Sequence, residues 1–170
     1  VFDPATGRQT REVDLASVEE VAAAVAAAKA AFPGWRATSL SKRTETLFNI
    51  RNLFAERRTE LAALLTAEHG KVPSDALGEI ARGLENLEFA CGVPQLIKGH
   101  YSEQASTGVD VYQIRQPLGV VAGITPFNAP FNLACHKVAP ALAAGNAIVL
   151  KAPPQSPRTV SMLVELFADA

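Results

Sequence analysis

The sequence predicts an α/β fold in which N-terminal helices precede the start of a Rossmann-like parallel sheet. Two short, nearly continuous apolar segments, residues 119–125 and 147–150, have the composition of strands that are covered on both faces. A helical pattern over residues 130–144 separates them. A strand, a helix and a strand within about 30 residues are typical of a βαβ unit, whose strands are parallel and whose crossover is right-handed in nearly all proteins.

The composition is that of a packed globular domain and excludes several classes of function. The chain has 170 residues, of which 48% are hydrophobic and 19% charged. Sixteen Lys and Arg against 17 Asp and Glu give a net charge of -1, and no run of one sign offers a surface for nucleic acid or anionic membranes. No segment approaches the roughly 18 consecutive apolar residues of a membrane-spanning helix. We therefore expect neither nucleic acid nor membrane as a partner.

The two cysteines, Cys91 and Cys135, match neither a disulfide framework nor a zinc-ligand spacing. This predicts no metal site and a reducing compartment, which we take to be the cytoplasm. Cys135 precedes His136, but adjacent residues of a helix point about 100° apart and are poorly placed to share a ligand or to form a nucleophile and base. We therefore expect both cysteines to have structural roles.

A first helix is predicted to begin after Ser17, because Ser17 and Glu20 have the spacing of a capping box. The dipeptide Pro33-Gly34 is predicted to end it. Between these limits the apolar residues recur at helical steps: Val18, Val21, Val25, Ala28 and Phe32.

Two longer helices are predicted to follow. One begins at about Ser41 and ends at His69-Gly70, and its arginines alternate with glutamates, which favours a solvated face with ion pairs over a nucleic-acid surface. The other begins at Pro73, since proline suits a first helical turn, and its apolar residues repeat at steps of three and four up to Cys91.

After this helical part, residues 109–115 are predicted to form an extended, partly polar strand at a sheet edge or in a hairpin arm. We place a domain boundary near Gln116-Pro117, which divides the chain into residues 1–116 and 117–170. Residues 158–170 start a further helix that reaches the end of the sequence without a cap, so we expect either a native end or, at least as readily, a truncated chain.

The candidate site lies where the two buried strands end, because ligands of open parallel sheets bind beyond the carboxyl ends of the strands. Asn128 follows the first strand and Lys151 the second. Each also has a structural interpretation: Asn128 as the N-cap of the crossover helix, and Lys151 as the first solvated residue after its strand. No G-x-G-x-x-G, the usual dinucleotide-binding motif, follows either strand. The residues alone therefore predict a ligand-binding crevice in an α/β fold and do not identify the ligand.

Five motifs occur in order along essentially the whole chain. They are Phe2-Asp-Pro-Ala-Thr-Gly7, Glu68-His-Gly-Lys71, Gln116-Pro-Leu-Gly-Val120, Pro126-Phe-Asn-Ala-Pro130 and Gly145-Asn-Ala-Ile-Val-Leu-Lys151. Together they resemble the N-terminal part of the aldehyde dehydrogenase superfamily. The middle of the chain, from Arg82 to Asn128, most resembles the CoA-acylating branch that acts on methylmalonate or malonate semialdehyde.

The resemblance implies a role for each site residue. The amide of Asn128 would donate a hydrogen bond to the oxyanion that forms when a cysteine attacks the aldehyde. The residues expected to contact a nicotinamide dinucleotide, NAD or NADP, are Ile124, Thr125, Pro126, Phe127, Lys151 and Gln155. Arg82 would hold the substrate carboxylate, or else pair on the helix surface with Glu79, Glu85 or Asn86. CoA would be a co-substrate, residues 117–170 would begin the dinucleotide-binding domain, and the strand over 109–115 would belong to an arm that makes a homodimer or homotetramer.

The sequence also departs from the family pattern. Pro154 stands where the family usually has an acidic residue that grips the ribose, which leaves NAD and NADP both open. The segment after Asn128 is more like general aldehyde dehydrogenases, so a hydrolytic enzyme for another small aldehyde remains an alternative. The family's nucleophilic cysteine and general-base glutamate lie beyond Ala170, so we expect this chain alone to be inactive. A non-catalytic fragment or binding module is the alternative from another class.

Overall fold

The computed structural model describes residues 1–170 and contains seven helices and four strands. In chain order they are α1 (Val18–Ala37), α2 (Leu40–Glu56), α3 (Arg58–His69), α4 (Pro73–Cys91), α5 (Val93–Leu96), β1 (His100–Ser106), β2 (Val109–Gln113), β3 (Val120–Ile124), α6 (Pro130–Ala143), β4 (Ala147–Lys151) and α7 (Pro157–Ala168). The helical N-terminal part, the βαβ unit and the α/β class are as the sequence predicts. None of the helices is both long and apolar enough to cross a membrane.

Helix α1 begins as predicted but ends later. The capping box at Ser17 is present. The predicted end at Pro33-Gly34 is wrong, because the helix continues through Pro33 to Ala37. A proline inside a helix removes one backbone hydrogen bond and crowds the preceding turn. Here the helix nevertheless continues for one more turn, and Trp35 in that turn donates its indole N–H to the carbonyl oxygen of Leu142 at 2.9 Å. That contact ties the end of α1 to α6.

The single helix predicted between Ser41 and His69 is two helices, α2 and α3, which meet at Arg57. The apolar stripe of α2 would continue onto positions 57 and 58, where both residues are arginines. The backbone leaves helical geometry at Arg57, whose guanidinium pairs with Glu60 at 2.7 Å in solvent. The bend keeps both arginines out of the core, whereas Leu61 and Leu65 of α3 still enter it.

The predicted parallel βαβ unit is confirmed. Strands β3 and β4 pair in parallel with Val120 opposite Ala147 and Ile124 opposite Lys151, and α6 connects them. The expectation that these strands are covered on both faces is wrong for β3, because Ala122 and Ile124 are exposed. A sheet of two strands, contacted by α1 and α6, leaves part of its surface uncovered.

One hydrophobic core joins the N-terminal helices to the βαβ unit. Phe131 of α6 is fully buried and packs on Phe54 of α2, with the ring centroids 5.2 Å apart. Gly83 makes this approach possible, since a Cβ at that position would lie 2.4 Å from the Phe131 ring. The predicted boundary near Gln116-Pro117 is therefore crossed by continuous packing, and a division into two domains stays a prediction.

The hairpin of β1 and β2 projects from this body. The two strands pair in antiparallel fashion around a turn at Thr107-Gly108, and every strand residue is exposed. The sequence predicts β2 as an extended arm, whereas β1 and the short helix α5 are additions that the structure makes. The apolar side chains that the arm exposes are Tyr101, Val109, Val111 and Tyr112.

Candidate functional site

The carboxyl ends of β3 and β4 lie side by side, as a site beyond a parallel sheet requires. Thr125 joins them, because both its backbone N–H and its hydroxyl donate to the carbonyl oxygen of Lys151, at 3.2 and 3.0 Å. Its side chain is buried and its hydroxyl is already used in this way. Thr125 thus fixes the spacing of the strand ends, and of the predicted cofactor residues it is the one that faces inward.

The other residues predicted to bind a cofactor are exposed at this edge of the sheet. Ile124 is 69% exposed, and Pro126, Phe127, Lys151 and Gln155 are exposed as well. A cleft of about 470 Å³ opens there, lined by Phe127, Pro154, Gln155, Ser156, Glu68, His69 and the N-terminal residues Val1, Phe2 and Pro4. Apolar faces, one ammonium group and one amide therefore stand free at the strand ends, which suits a ligand with aromatic rings and hydroxyl groups.

Asn128 does not cap the crossover helix. The N-cap of α6 is Ala129, which makes no side-chain hydrogen bond, and Pro130 occupies the first helical position. The Asn128 side chain is exposed, and its amide makes no hydrogen bond within the chain. The interpretation of Asn128 as a cap is therefore wrong, and its amide is free to donate to a ligand.

The cap of α6 comes instead from another helix. Glu79 of α4 is buried, and its Oε1 accepts from the backbone N–H groups of Phe131 at 2.9 Å and Asn132 at 3.2 Å. Its other oxygen pairs with the Lys71 ammonium, which also donates to the carbonyl oxygen of Asn128 at 2.8 Å. A negative charge at a helix N-terminus is stabilising, because it meets unpaired N–H groups and the positive end of the helix dipole.

Helix α7 is capped in the same manner by Glu68 of α3. Its carboxylate accepts from the backbone N–H groups of Arg158 at 2.9 Å and Thr159 at 2.8 Å, and from the Thr159 hydroxyl at 2.8 Å. The N-cap residue itself, Ser156, makes no such bond. Both helices that follow the strands of the βαβ unit thus begin on a carboxylate from the N-terminal helices.

The opposite end of α6 is held by a cation. Arg43 of α2 is buried and donates to the carbonyl oxygen of Ala143 at 2.7 Å and to that of Thr38 at 3.2 Å. Burial lowers the pKa of Arg43, although a guanidinium stays charged at any physiological pH. Gly145 follows with φ of 89°, and a Cβ there would lie 2.8 Å from the guanidinium. The helix dipole is therefore complemented at both ends by side chains from outside the βαβ unit.

Arg82 lies on α4 one turn beyond Glu79. Its side chain is 72% exposed and pairs with Glu85 at 3.1 Å, so the surface ion pair considered above is the arrangement seen here. The pair is weakly held, because both groups are solvated. The next turn of α4 contacts the start of α6, where the Asn86 amide donates to the Asn132 side chain at 2.8 Å. Arg82 therefore lies one turn before the contact between α4 and α6, with its guanidinium in solvent.

Neither cysteine is suited to be a nucleophile. Both are buried. Burial raises the pKa of Cys91 and raises that of Cys135 well above its ordinary value, and the nearby carboxylates of Glu88 and Glu79 add to these shifts. A thiol is nucleophilic as the thiolate, which both environments disfavour. No group of three or more His, Cys, Asp or Glu side chains is placed to hold a metal ion.

The sequence did not predict the role of three side chains that organise the site, Lys71, Glu79 and Glu68, although Glu68 and Lys71 belong to one of the five motifs and Glu79 was considered as a partner of Arg82. A usable signal was present for Glu79, which stands on the buried stripe of α4 between Ala76 and Ile80. A carboxylate on such a stripe needs a partner. Helix α6 starts at Ala129-Pro130, where no side chain can cap its first N–H groups. The buried carboxylate of α4 thus needs hydrogen-bond donors, and the start of α6 needs an acceptor.

Comparison with known proteins identifies the family to which this site belongs. The model of the aldehyde dehydrogenase family matches residues 1–170. A malonate-semialdehyde dehydrogenase of Geobacillus thermodenitrificans is 46% identical over 170 residues, which is the whole of this chain and 35% of that protein. The chain thus spans about a third of the length of such relatives.

Solved structures agree with the sequence relatives. A protein assigned as a methylmalonate-semialdehyde dehydrogenase, from Sinorhizobium meliloti 1021 and complexed with NAD, superposes with a TM-score of 0.97 at 45% identity, over 99% of this chain and 34% of that one. An NADP-dependent enzyme of E. coli superposes with a TM-score of 0.95 at 36% identity, over 99% of this chain and 35% of that one. The fold is therefore that of the N-terminal third of these proteins.

Proposed function

The chain belongs to the aldehyde dehydrogenase family, and we propose that it is the N-terminal part of an NAD(P)-dependent enzyme that oxidises malonate or methylmalonate semialdehyde. The substrate carboxyl group would leave as CO2, the hydride would pass to the nicotinamide cofactor, and the acyl group would pass to CoA as acetyl-CoA or propionyl-CoA. The observation that carries this proposal is the free, exposed amide of Asn128 at the strand ends, beside a helix start that another residue caps. An amide that no structural bond uses is available to stabilise negative charge on a substrate oxygen.

Asn128 is the catalytic residue that this chain contributes. When a cysteine attacks the aldehyde carbon, the carbonyl oxygen becomes an oxyanion, and the Asn128 amide donates a hydrogen bond to it. Such a donor lowers the barrier by roughly 2.7–4 kcal/mol when it is held in place before the reaction. The nucleophilic cysteine belongs to the part of the enzyme that this chain does not span, because burial disfavours the thiolates of Cys91 and Cys135.

The strand ends would hold the nicotinamide dinucleotide, which would supply the hydride acceptor of the reaction. Lys151 offers its ammonium to the ribose hydroxyls, while Ile124 and Phe127 offer apolar surface and Gln155 an amide. Pro126 shapes the turn after β3. Pro154 supplies no carboxylate for a free ribose hydroxyl, and relatives with either NAD or NADP share the fold, so the proposal covers both cofactors.

Arg82 sets the class of substrate. Its guanidinium is exposed near the start of α6 and is held by one solvated carboxylate, Glu85. A semialdehyde that carries its own carboxylate would displace Glu85 and gain a bidentate pair. A neutral aldehyde would gain nothing there, so the position of Arg82 favours malonate or methylmalonate semialdehyde.

A second candidate is a hydrolytic aldehyde dehydrogenase, in which water takes the place of CoA. The segment from Ala129 to Pro140 resembles general aldehyde dehydrogenases, and this resemblance supports the alternative. The two differ in the product released and not in the role of Asn128.

We propose a homodimer or homotetramer in the cytoplasm as the state of the full enzyme. The hairpin of β1 and β2 supports this, since an isolated two-stranded hairpin is marginal in water and this one exposes Tyr101, Val111 and Tyr112. A second copy of the chain would pair with the hairpin and cover these side chains.

The test uses the full-length enzyme with malonate semialdehyde and either NAD or NADP, with and without CoA. We expect reduced cofactor and acetyl-CoA to form together, and CoA to be required for turnover. Formation of a free acid without CoA would favour the hydrolytic alternative. Absence of cofactor reduction with any small aldehyde would contradict the proposed function and favour a binding module. The 170-residue chain alone serves as a negative control, because both of its thiols are buried.

A further inference from the structure

We propose that Glu79 and Lys71 are positioning residues for the oxyanion donor Asn128, an inference that rests on the proposed function. Helix α6 starts without a cap of its own, because Ala129 has no polar side chain and Pro130 has no N–H. The first N–H groups that need an acceptor belong to Phe131 and Asn132, and Glu79 accepts from both. The Asn128 side chain, which precedes them by a single turn, is thereby released from capping.

Lys71 completes the arrangement on the other side of Ala129-Pro130. Its ammonium donates to the Asn128 carbonyl oxygen at 2.8 Å while it pairs with Glu79. The loop is therefore held by bonds at Asn128 and again at Phe131 and Asn132. Pro130 restricts φ between these points. Together these contacts fix the backbone from which the Asn128 amide projects.

The burial of the pair makes it suited to this role. The side chain of Glu79 is 5% exposed and that of Lys71 is 19% exposed. An ion pair in such surroundings is screened far less by solvent than a surface pair. Removing either partner leaves a buried charge without its counterion, so neither side chain leaves the loop readily.

The second capped helix shows that capping alone does not require the lysine. Glu68 caps α7 with three hydrogen bonds and forms no ion pair with a lysine or arginine. The feature that distinguishes Glu79 is its ammonium partner, and the additional atom that this ammonium binds is the carbonyl oxygen of Asn128. The lysine thus acts on the residue that carries the amide.

The experiment uses the full-length enzyme with Glu79→Gln and Lys71→Met, each alone and combined with Asn128→Ala. We expect each single variant to lower kcat and kcat/KM together by roughly tenfold to a hundredfold, as a displaced catalytic group does. In the Asn128→Ala background the same substitutions should lower kcat no further, because the group they position is gone. Glu88→Gln is the matched control, since Glu88 lies on the same helix and pairs with Arg51 in solvent.

Losses that multiply in the double variants would show a general structural role and overturn the positioning role. Unchanged kcat in Lys71→Met would also overturn it, and this variant keeps the Glu79 carboxylate on α6 should Glu79→Gln fail to fold. If the wild-type enzyme is active, either of these two results overturns the positioning role alone and leaves the proposed function intact. An enzyme that oxidises no aldehyde at all overturns the proposed function and the positioning role together.

Discussion

The junction between the N-terminal helices and the βαβ unit differs sharply from the hairpin of β1 and β2. At the junction, Glu68, Glu79 and Arg43 each reach across to the end of a helix, and Phe131 lies in a continuous core. In the hairpin, every strand residue is exposed and the polar contacts are local. The helices of the junction and the hairpin both precede the βαβ unit in sequence, but the junction alone contacts the Asn128 loop.

The N-terminal helices are therefore part of the site and not only a layer packed against the βαβ unit. Helices α6 and α7 take their N-terminal caps from α4 and α3, so the βαβ unit depends on those helices for its geometry. The hairpin makes no comparable contact with the ends of β3 and β4. We therefore expect changes at the junction to act on folding and catalysis, and changes in the hairpin to act on association.

The largest effect on stability should come from the core of the junction. Phe131→Ala removes a fully buried ring that packs on Phe54, and such a truncation costs about 3–5 kcal/mol of unfolding free energy. Phe89→Ala is the matched control, because Phe89 of α4 is 67% exposed and surface changes stay within about 0.5 kcal/mol. Urea unfolding of the 170-residue chain measures both. Equal losses would mean that the junction is not a packed core.

A smaller effect should follow removal of the cap of α7. Glu68→Ala leaves the N–H groups of Arg158 and Thr159 without an acceptor, which we expect to cost about 2 kcal/mol. Glu60→Ala on the same helix removes a carboxylate whose ion pair with Arg57 is solvent-exposed and screened, so the loss of stability should be smaller. The same urea experiment compares the two. A greater loss for Glu60→Ala would contradict the capping role.

The smallest effect should be a local pH response of the hairpin. Hydrogen bonds from the Gln104 backbone N–H and the Tyr101 hydroxyl lower the pKa of Asp110 below its ordinary value. Because the folded pKa is depressed, this contribution is fully present above the unfolded value of about 3.9 and is lost as the pH falls through the lower pKa of the folded state. The protection of the Gln104 amide, measured against its intrinsic exchange rate at each pH, should therefore decrease as the pH falls below about 4.

Asp110→Asn is the control for that response, since it removes the titrating group and should remove the pH dependence at Gln104. The amide of Phe131 is the comparison, and it should keep its protection over the same range because Phe131 is fully buried in the core of the junction. A simultaneous loss of protection at Gln104 and Phe131 would contradict the separation of the two regions.

Much of the fold was predictable, because the spacing of apolar residues in most helices and strands reflects which of their faces are buried. The strands β3 and β4, the crossover helix and the placement of Asn128 and Lys151 at the strand ends follow from short apolar segments and the geometry of parallel sheets. Strand β1 was not predictable in this way, because a strand that is exposed on both faces leaves no apolar alternation.

The organisation of the site was not predictable from local patterns. Glu79 lies 52 residues before Phe131, and Glu68 lies 90 residues before Arg158. Nothing in the helix-start signals of either segment specifies a partner so distant in the chain. The continuation of α1 past Pro33 likewise accompanies a contact formed only after folding, the bond from Trp35 to Leu142.

The central claim, that Asn128 is the oxyanion donor of an aldehyde dehydrogenase, is tested most directly by Asn128→Ala in the full-length enzyme. We predict that kcat for the semialdehyde falls by about 10²–10³-fold, whereas the affinity for the nicotinamide cofactor is retained. Asn52→Ala, at an exposed position of α2, is the matched control and should leave kcat unchanged. A kcat for Asn128→Ala that equals that of the wild-type enzyme would contradict the claim.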